Sequence, residues 1–177
     1  MYSKVKILGH PIHPMLVGFP VAFYTATLVA FIVYASNMNP FWYRLACVAN
    51  WAGVITAVVA ALPGFIDWAM GIPRRSPAKK MGLLHMAFNV AALLVFLTNA
   101  IAATAHWDEV LPPTGTGIVL SAIGVLLTVP AGFIGWSLVQ DHHVGIQLTP
   151  AQQALEPLQD TSRASERVRT NTPAPSH

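Results

Sequence analysis

The stretch from Gly117 to Val139 reads GIVLSAIGVLLTVPAGFIGWSLV and decides the fold. It lies within a longer run that has no charged side chain between Glu109 and Asp141. A helix needs about 20 mostly apolar residues to cross the hydrocarbon core of a bilayer, because each residue advances it by about 1.5 Å. This segment is therefore long enough and apolar enough to span a membrane.

Three more stretches have the same character, from Met15 to Ser36, from Leu45 to Ile66 and from Met81 to Ala105. The composition agrees, since 54% of the residues are hydrophobic and 10% are charged, against about 25% charged in a typical soluble domain. The first stretch is too long for a removable signal peptide, and no small-residue cleavage site follows it. The sequence predicts an all-α membrane protein with a four-transmembrane-helix bundle in residues 1–146, and no internal repeat is evident.

Residues 147–177 differ from the rest of the chain. They are polar, contain four prolines and carry charges of both signs. Such a segment cannot bury enough apolar surface to offset the entropy lost on ordering. We therefore predict a disordered tail, although Thr149 and Pro150 are suited to begin one short helical turn.

The charges of the connections predict the orientation. Basic residues favour the cytoplasmic side of a membrane. The third connection is acidic, through Asp108 and Glu109, and the first carries only Arg44. The basic residues are Arg74, Arg75, Lys79 and Lys80 in the second connection and Lys4 and Lys6 before the first span. The sequence thus predicts an inner-membrane protein with both termini in the cytoplasm, and the pI of about 9.3 needs no nucleic-acid partner to explain it.

Five histidines are predicted at the cytoplasmic ends of the spans, and histidine binds metals and haem and transfers protons near neutral pH. His10 and His13 each precede a proline, which holds them on a stiff, extended segment. His85 and Asn89 are four residues apart and share a helix face. This placement predicts either that they bind a ligand or that they form hydrogen bonds between helices. The other two are His142 and His143, just after the fourth span.

Two further features limit the predicted site. Asp67 ends the second span. At this position we predict either that its carboxylate orients a histidine or that it forms an ion pair with Arg74 or Arg75. Adjacent helical residues point about 100° apart, so at most one of His142 and His143 faces the bundle.

Cys47 is the only cysteine, which excludes an internal disulfide and a thiolate-rich metal site, and we predict that it is a small core residue. The chain has none of the usual soluble-enzyme motifs, so catalytic residues stay unassigned.

These motifs, taken in order, resemble a bacterial family of predicted membrane proteins known as domain of unknown function 2231. The resemblance runs from about Gly9 to Gly145, and it implies a four-helix membrane domain with no established activity. Some relatives are fused to Rieske-type iron–sulfur domains, which points to redox work, but one cysteine cannot build that cluster here. The chain departs from the family at Trp136 and Gln140, where we expect glycine and tyrosine. The motifs that carry the resemblance are Gly9-His10-Pro11-Ile12-His13-Pro14, Gly64-Phe65-Ile66-Asp67, His85-Met86-Ala87-Phe88-Asn89, and Gly132-Phe133-Ile134-Gly135 with Leu138, Val139 and His142.

Several functions remain open. The leading hypothesis is a redox protein in which His85 with His13 or His10 binds haem b, with His142 as a further candidate ligand and Asp67 or Asn89 in support. A divalent metal ion held by His10, His13, His85 and Asp67 fits the chemistry about as well. The alternatives are a small proton- or ion-coupled permease and a non-catalytic membrane subunit or scaffold. The expected partners are the lipid bilayer and either further copies of the chain or a redox protein.

Overall fold

The computed structural model describes residues 3–146, 149–152 and 154. The chain divides into two units, Met1–Gly145 and Ile146–His177. In the second unit, the Thr149 and Gln152 side chains each accept a hydrogen bond from the other's backbone N–H. This reciprocal cap agrees with the predicted helical turn, while most of the predicted disordered tail lies outside the described residues.

Within residues 3–145 of the first unit, a short hairpin precedes a set of helices. The strands are β1 (Lys6–Ile7) and β2 (His10–Pro11), which pair antiparallel. The helices are α1 (Ile12–Leu16), α2 (Gly18–Asn37), α3 (Pro40–Ile66), α4 (Pro77–Thr104) and α5 (Gly115–Gln140), and a π-helical turn (Asp67–Gly71) extends α3.

Four helical segments are long and apolar enough to cross a membrane. They are Ile12–Asn37, Pro40–Gly71, Pro77–Thr104 and Gly115–Gln140, and they agree with the predicted spans to within five residues at each end. Large apolar side chains, among them Phe19, Ile32, Leu94 and Phe133, are exposed on the outside of the bundle. A lipid bilayer accommodates such a surface and water does not. The predicted four-transmembrane-helix bundle is confirmed.

Local sequence signals place the turns. Met38 adopts a left-handed conformation with φ 53°, and its N–H donates to Tyr34 O at 2.8 Å, which ends α2. The Asn39 side chain then accepts from Phe41 N at 3.0 Å and begins α3. In the hairpin turn, Leu8 and Gly9 both have positive φ, the geometry that tight two-residue hairpins require.

Corresponding positions of the two helix pairs pack alike, which indicates a repeat that the sequence analysis did not identify. α2 packs mainly on α3 and α4 on α5, while α2 with α5 and α3 with α4 form the contacts between the pairs. Buried or tightly packed positions recur 72 residues apart between the first helices and 71 residues apart between the second helices. The corresponding pairs are His13 with His85, Tyr24 with Phe96, Thr27 with Asn99, Asn50 with Ser121, Gly53 with Gly124, and Ala60 with Ala131.

The repeat is clearest at mid-bundle, where two aromatic rings meet. Tyr24 and Phe96 stack with ring centroids 3.6 Å apart and planes within 1° of parallel. A Cβ atom on Gly53 would lie 2.7 Å from the Tyr24 ring, and one on Gly124 would lie 2.3 Å from the Phe96 ring. Each glycine therefore admits the aromatic ring of its own helix pair. Because each pair crosses the bundle twice, the two repeats run in the same direction.

A buried polar layer holds the helix pairs together beside these rings. The Asn50 amide donates to Phe96 O at 3.1 Å and accepts from Ala100 N at 3.1 Å and from Asn99 Nδ2 at 3.2 Å. Asn99 Nδ2 also donates to Ser121 Oγ at 2.9 Å. Hydrogen bonds of this kind offset the cost of placing polar groups in hydrocarbon. Asn50 therefore bonds across helices.

Candidate functional site

The two symmetry-related histidines meet at the end of the bundle that carries the N-terminal hairpin. His13 lies on α1, and His85 lies about two turns inside the start of α4. Their ring centroids are 6.2 Å apart and their planes are perpendicular. Of the histidines that the sequence singles out, these two form a facing pair.

Backbone carbonyls fix both imidazole rings in the same way. His13 Nδ1 is 2.8 Å from Ala60 O, and His85 Nδ1 is 2.8 Å from Ala131 O. A carbonyl oxygen only accepts, so each neutral ring carries its hydrogen on Nδ1 and leaves the lone pair of Nε2 available. Metal-bound histidines commonly have this arrangement, because the bond at one nitrogen orients the other.

Small residues on the partner helices admit the rings. A Cβ atom on Gly64 would lie 2.7 Å from His13 Nδ1, and one on Gly135 would lie 2.9 Å from His85 Cε1. Each glycine comes four residues after the alanine whose carbonyl the ring contacts, and therefore on the same helix face. The sequence analysis left the choice between His13 and His10 as the partner of His85 open, and the two matching Ala-x-x-x-Gly segments are the signal that could have favoured His13.

Asn89 lies beside the His85 ring, as its position on the same helix face predicts. Its Nδ2 donates to His85 O at 2.8 Å and lies 3.2 Å from His85 Nε2. The carbonyl bond ties the amide to its own helix. A ligand on Nε2 would replace only the second contact.

Asp67 is engaged elsewhere. Ser3 Oγ donates to one carboxylate oxygen at 2.6 Å, and the N–H groups of Lys4 and Val5 donate to the other at 2.6 and 3.2 Å. Val5 O in turn accepts from Ile12 N at 3.2 Å. The carboxylate thus binds the N-terminal segment to the end of α3. Among the described residues, it neither orients a histidine nor pairs with Arg74 or Arg75, the two roles that the sequence predicted.

We expect Asp67→Asn to loosen this segment. The substitution removes the negative charge and one acceptor, and hydrogen bonds to charged groups contribute about 1.5–3 kcal/mol. Amide hydrogen exchange at Lys4 and Val5 should become faster while the helices keep their protection. Asp141→Asn is the matched control, and equal exchange in both variants would contradict this role for Asp67.

The remaining candidates do not join the pair. His10 is exposed, and its Nδ1 lies 3.0 Å from Leu8 O within the hairpin. His142 Nε2 lies 3.0 Å from Met81 Sδ. In the described part of the chain, no three or more His, Cys, Asp or Glu side chains are arranged to hold a metal ion. The predicted ligand set of His10, His13, His85 and Asp67 is therefore not assembled.

Cys47 and His106 lie away from the histidine pair. Cys47 is buried in the apolar core, 1% exposed, which confirms it as a small core residue. His106 lies at the opposite end of the bundle, where its Nδ1 is 2.6 Å from Glu109 Oε1. Neither contributes to the histidine pair.

Four long apolar helices with a lipid-compatible exterior define an integral membrane protein. Residues 9–148 match the family described as Predicted membrane protein (DUF2231), and the chain belongs to this family. The resemblance seen in the sequence is thus confirmed. No curated protein and no solved structure matches the chain.

Proposed function

We propose that His13 and His85 are the axial ligands of a b-type haem and that the protein is a redox protein of the membrane. The supporting observation is the paired geometry of the two rings. Each Nδ1 is held by a backbone carbonyl, and each ring packs against a glycine of the partner helix. Two equivalent imidazoles, one from each repeat, form a symmetric donor set.

The spacing of the rings suits one metal ion between them. An ion about 2 Å from a nitrogen of each ring puts the centroids of two opposed imidazoles roughly 6 Å apart. The observed separation is 6.2 Å. A direct packing contact explains the perpendicular planes equally well, but it does not explain why both rings have the same carbonyl and glycine partners.

The number of ligands favours haem over a bare divalent ion. A bare zinc ion takes four ligands and harder ions take six or more. Among the described residues, no third His, Cys, Asp or Glu completes such a set with the pair. A haem iron needs only two ligands from the protein, because the porphyrin supplies four, and when bound it carries one electron at a time. In this proposal, Asn89 keeps its bond to the His85 backbone carbonyl and gives up its contact with His85 Nε2 to the iron.

The proposal includes the setting of the site. Basic residues of the connection after α3 and of the N-terminus lie at the same end of the bundle as the histidine pair, which supports a cytoplasmic position for both. An inner-membrane redox protein so oriented would exchange electrons with a cytoplasmic partner or within an oligomer of this chain.

We expect thiol labelling to confirm this orientation. In a Cys47→Ala background, a membrane-impermeant maleimide should label Leu111→Cys in intact cells and Ser76→Cys only after the membrane is opened. Leu111 is 61% exposed in the acidic connection, and Ser76 lies in the basic one. The reverse pattern would place the histidine pair on the outer side.

An absorption spectrum of the detergent-solubilised protein, recorded beside elemental analysis, tests the haem proposal. A Soret band with one iron per chain supports haem, whereas stoichiometric metal without the band supports a bare ion. A colourless, metal-free and folded protein, still colourless after incubation with haemin, overturns both forms of the proposal.

The second candidate is a proton- or ion-coupled permease, and one observation favours it. Parallel repeats around a buried polar layer also occur in transporters, and Asn50, Asn99 and Ser121 form such a layer here. Proton flux into proteoliposomes that depends on Asn50 would support this candidate. With neither colour nor flux, a non-catalytic subunit is the remaining assignment.

A further inference from the structure

We infer that Met81 and His142 form a second site, which binds a soft monovalent metal ion of the copper(I) class. The site is separate from the histidine pair and does not depend on haem. It joins the start of α4 to the segment that follows α5. Sequence reasoning that looks only for histidine, cysteine and carboxylate ligands overlooks it, because one of its donors is a thioether.

The contact between the two side chains is close and directed through the donor atoms. His142 Nε2 lies 3.0 Å from Met81 Sδ. Nitrogen and sulfur ligands of one ion, at about 2.0 and 2.3 Å from it, lie roughly 3–4 Å apart. A small adjustment therefore allows both atoms to bind the same ion.

The chemistry of the donors selects the ion. A thioether is a weak hydrogen-bond acceptor, so hydrogen bonding alone gains little from this contact. Thioether and imidazole together prefer copper(I) and similar soft ions, whereas magnesium, calcium and manganese prefer oxygen ligands. The thioether and imidazole donors thus indicate which class of ion is bound as well as where it binds.

Apolar residues pack against one side of the site. Met81 and Val144 pack against a buried apolar cluster of Ile72, Ala78 and Leu138, which shields the inner side of the site. Met81 is four residues before His85 on the same face of α4, so the site lies one turn nearer to the helix end than the histidine pair. An ion from the aqueous phase would reach Met81 and His142 first.

Silver(I), a stable substitute for copper(I), provides the test. The protein is labelled with ¹³C-methyl methionine, so that its six methionines give separate signals, and is titrated with silver nitrate in chloride-free buffer. We expect the Met81 signal to shift first and to saturate at one ion per chain. Met81→Leu and His142→Ala should each abolish this site. Met70→Leu, which removes an exposed thioether beside the same connection, should leave it intact.

The outcomes separate this site from the haem proposal. His85→Ala should keep the Met81 shift, so failure of the haem proposal would leave the silver result standing. The inference is overturned if the Met81 signal does not move, if all methionine signals shift in parallel, or if His142→Ala binds silver as the wild type does. If His85→Ala abolishes the shift, the ion is bound by the histidine pair and no separate site exists.

Discussion

In the proposed haem protein, replacing either His13 or His85 with alanine should remove the haem, so that the purified protein would lose its Soret absorption. A six-coordinate haem held by two imidazoles loses half of its protein ligands in either variant. Because the two rings occupy equivalent places in the repeat, we expect both variants to lose most of the haem. Absorbance ratios and pyridine haemochrome assays measure the loss. His10→Ala is the matched control, since its ring is exposed in the hairpin.

A purely structural role for the histidines predicts a different result. Each Nδ1 donates to a backbone carbonyl of another helix, so alanine also removes an interhelical hydrogen bond worth about 1 kcal/mol. His85→Gln can retain a donor for Ala131 O but is a poor axial ligand. We expect this variant to fold with little haem and to regain a six-coordinate spectrum when imidazole is added. A wild-type protein with haem whose spectrum survives both alanine substitutions would place the ligands elsewhere.

Gly124→Ala destabilises the bundle, whereas Gly132→Ala on the same helix stabilises it. A Cβ on Gly124 would lie 2.3 Å from Phe96, while one on Gly132 meets no atom within 4 Å. Overpacking a close-packed interior typically costs about 1–3 kcal/mol. An exposed helical glycine replaced by alanine gains up to about 1 kcal/mol. Thermal unfolding in detergent, followed by circular dichroism, should therefore shift the two melting temperatures in opposite directions.

A second substitution identifies the cause. Phe96→Leu removes the ring that the new methyl group would strike, so Gly124→Ala should cost less in the Phe96→Leu background than in the wild type. Gly132→Ala should have the same effect in both backgrounds. Equal effects of Gly124→Ala in both backgrounds would show that the ring contact is not the source of the cost.

Some features of the fold follow from short stretches of sequence. The four spans are evident because each helix must present a continuous apolar surface to lipid, which uninterrupted runs such as 117–139 reveal. Cys47 as a core residue and Asn50 as a cross-helix contact follow from position alone, since a small or polar side chain in a span faces the protein interior. Asn89 beside His85 follows from helical spacing.

The site depends on pairings between distant segments. The sequence predicts that Asp67 orients a histidine or pairs with an arginine, but its carboxylate binds the N-terminal segment instead. The residues around Asp67 do not indicate which partner it binds, because a carboxylate at a helix end can accept hydrogen bonds from many different donors. The repeat was missed for a related reason, since histidine, glycine and small polar residues recur at equivalent positions while the lipid-facing residues between them differ.

The sequence by itself determined that this chain crosses a membrane four times, because apolar length and the need to satisfy backbone hydrogen bonds leave a helix as the only local solution. The sequence also determined which polar residues lie within the spans and must be packed inside the bundle. Only the tertiary structure decided that His13 faces His85 and that Met81 meets His142, because those contacts depend on how two helix pairs pack. That packing is set by glycines whose importance appears only when the opposing ring is in place.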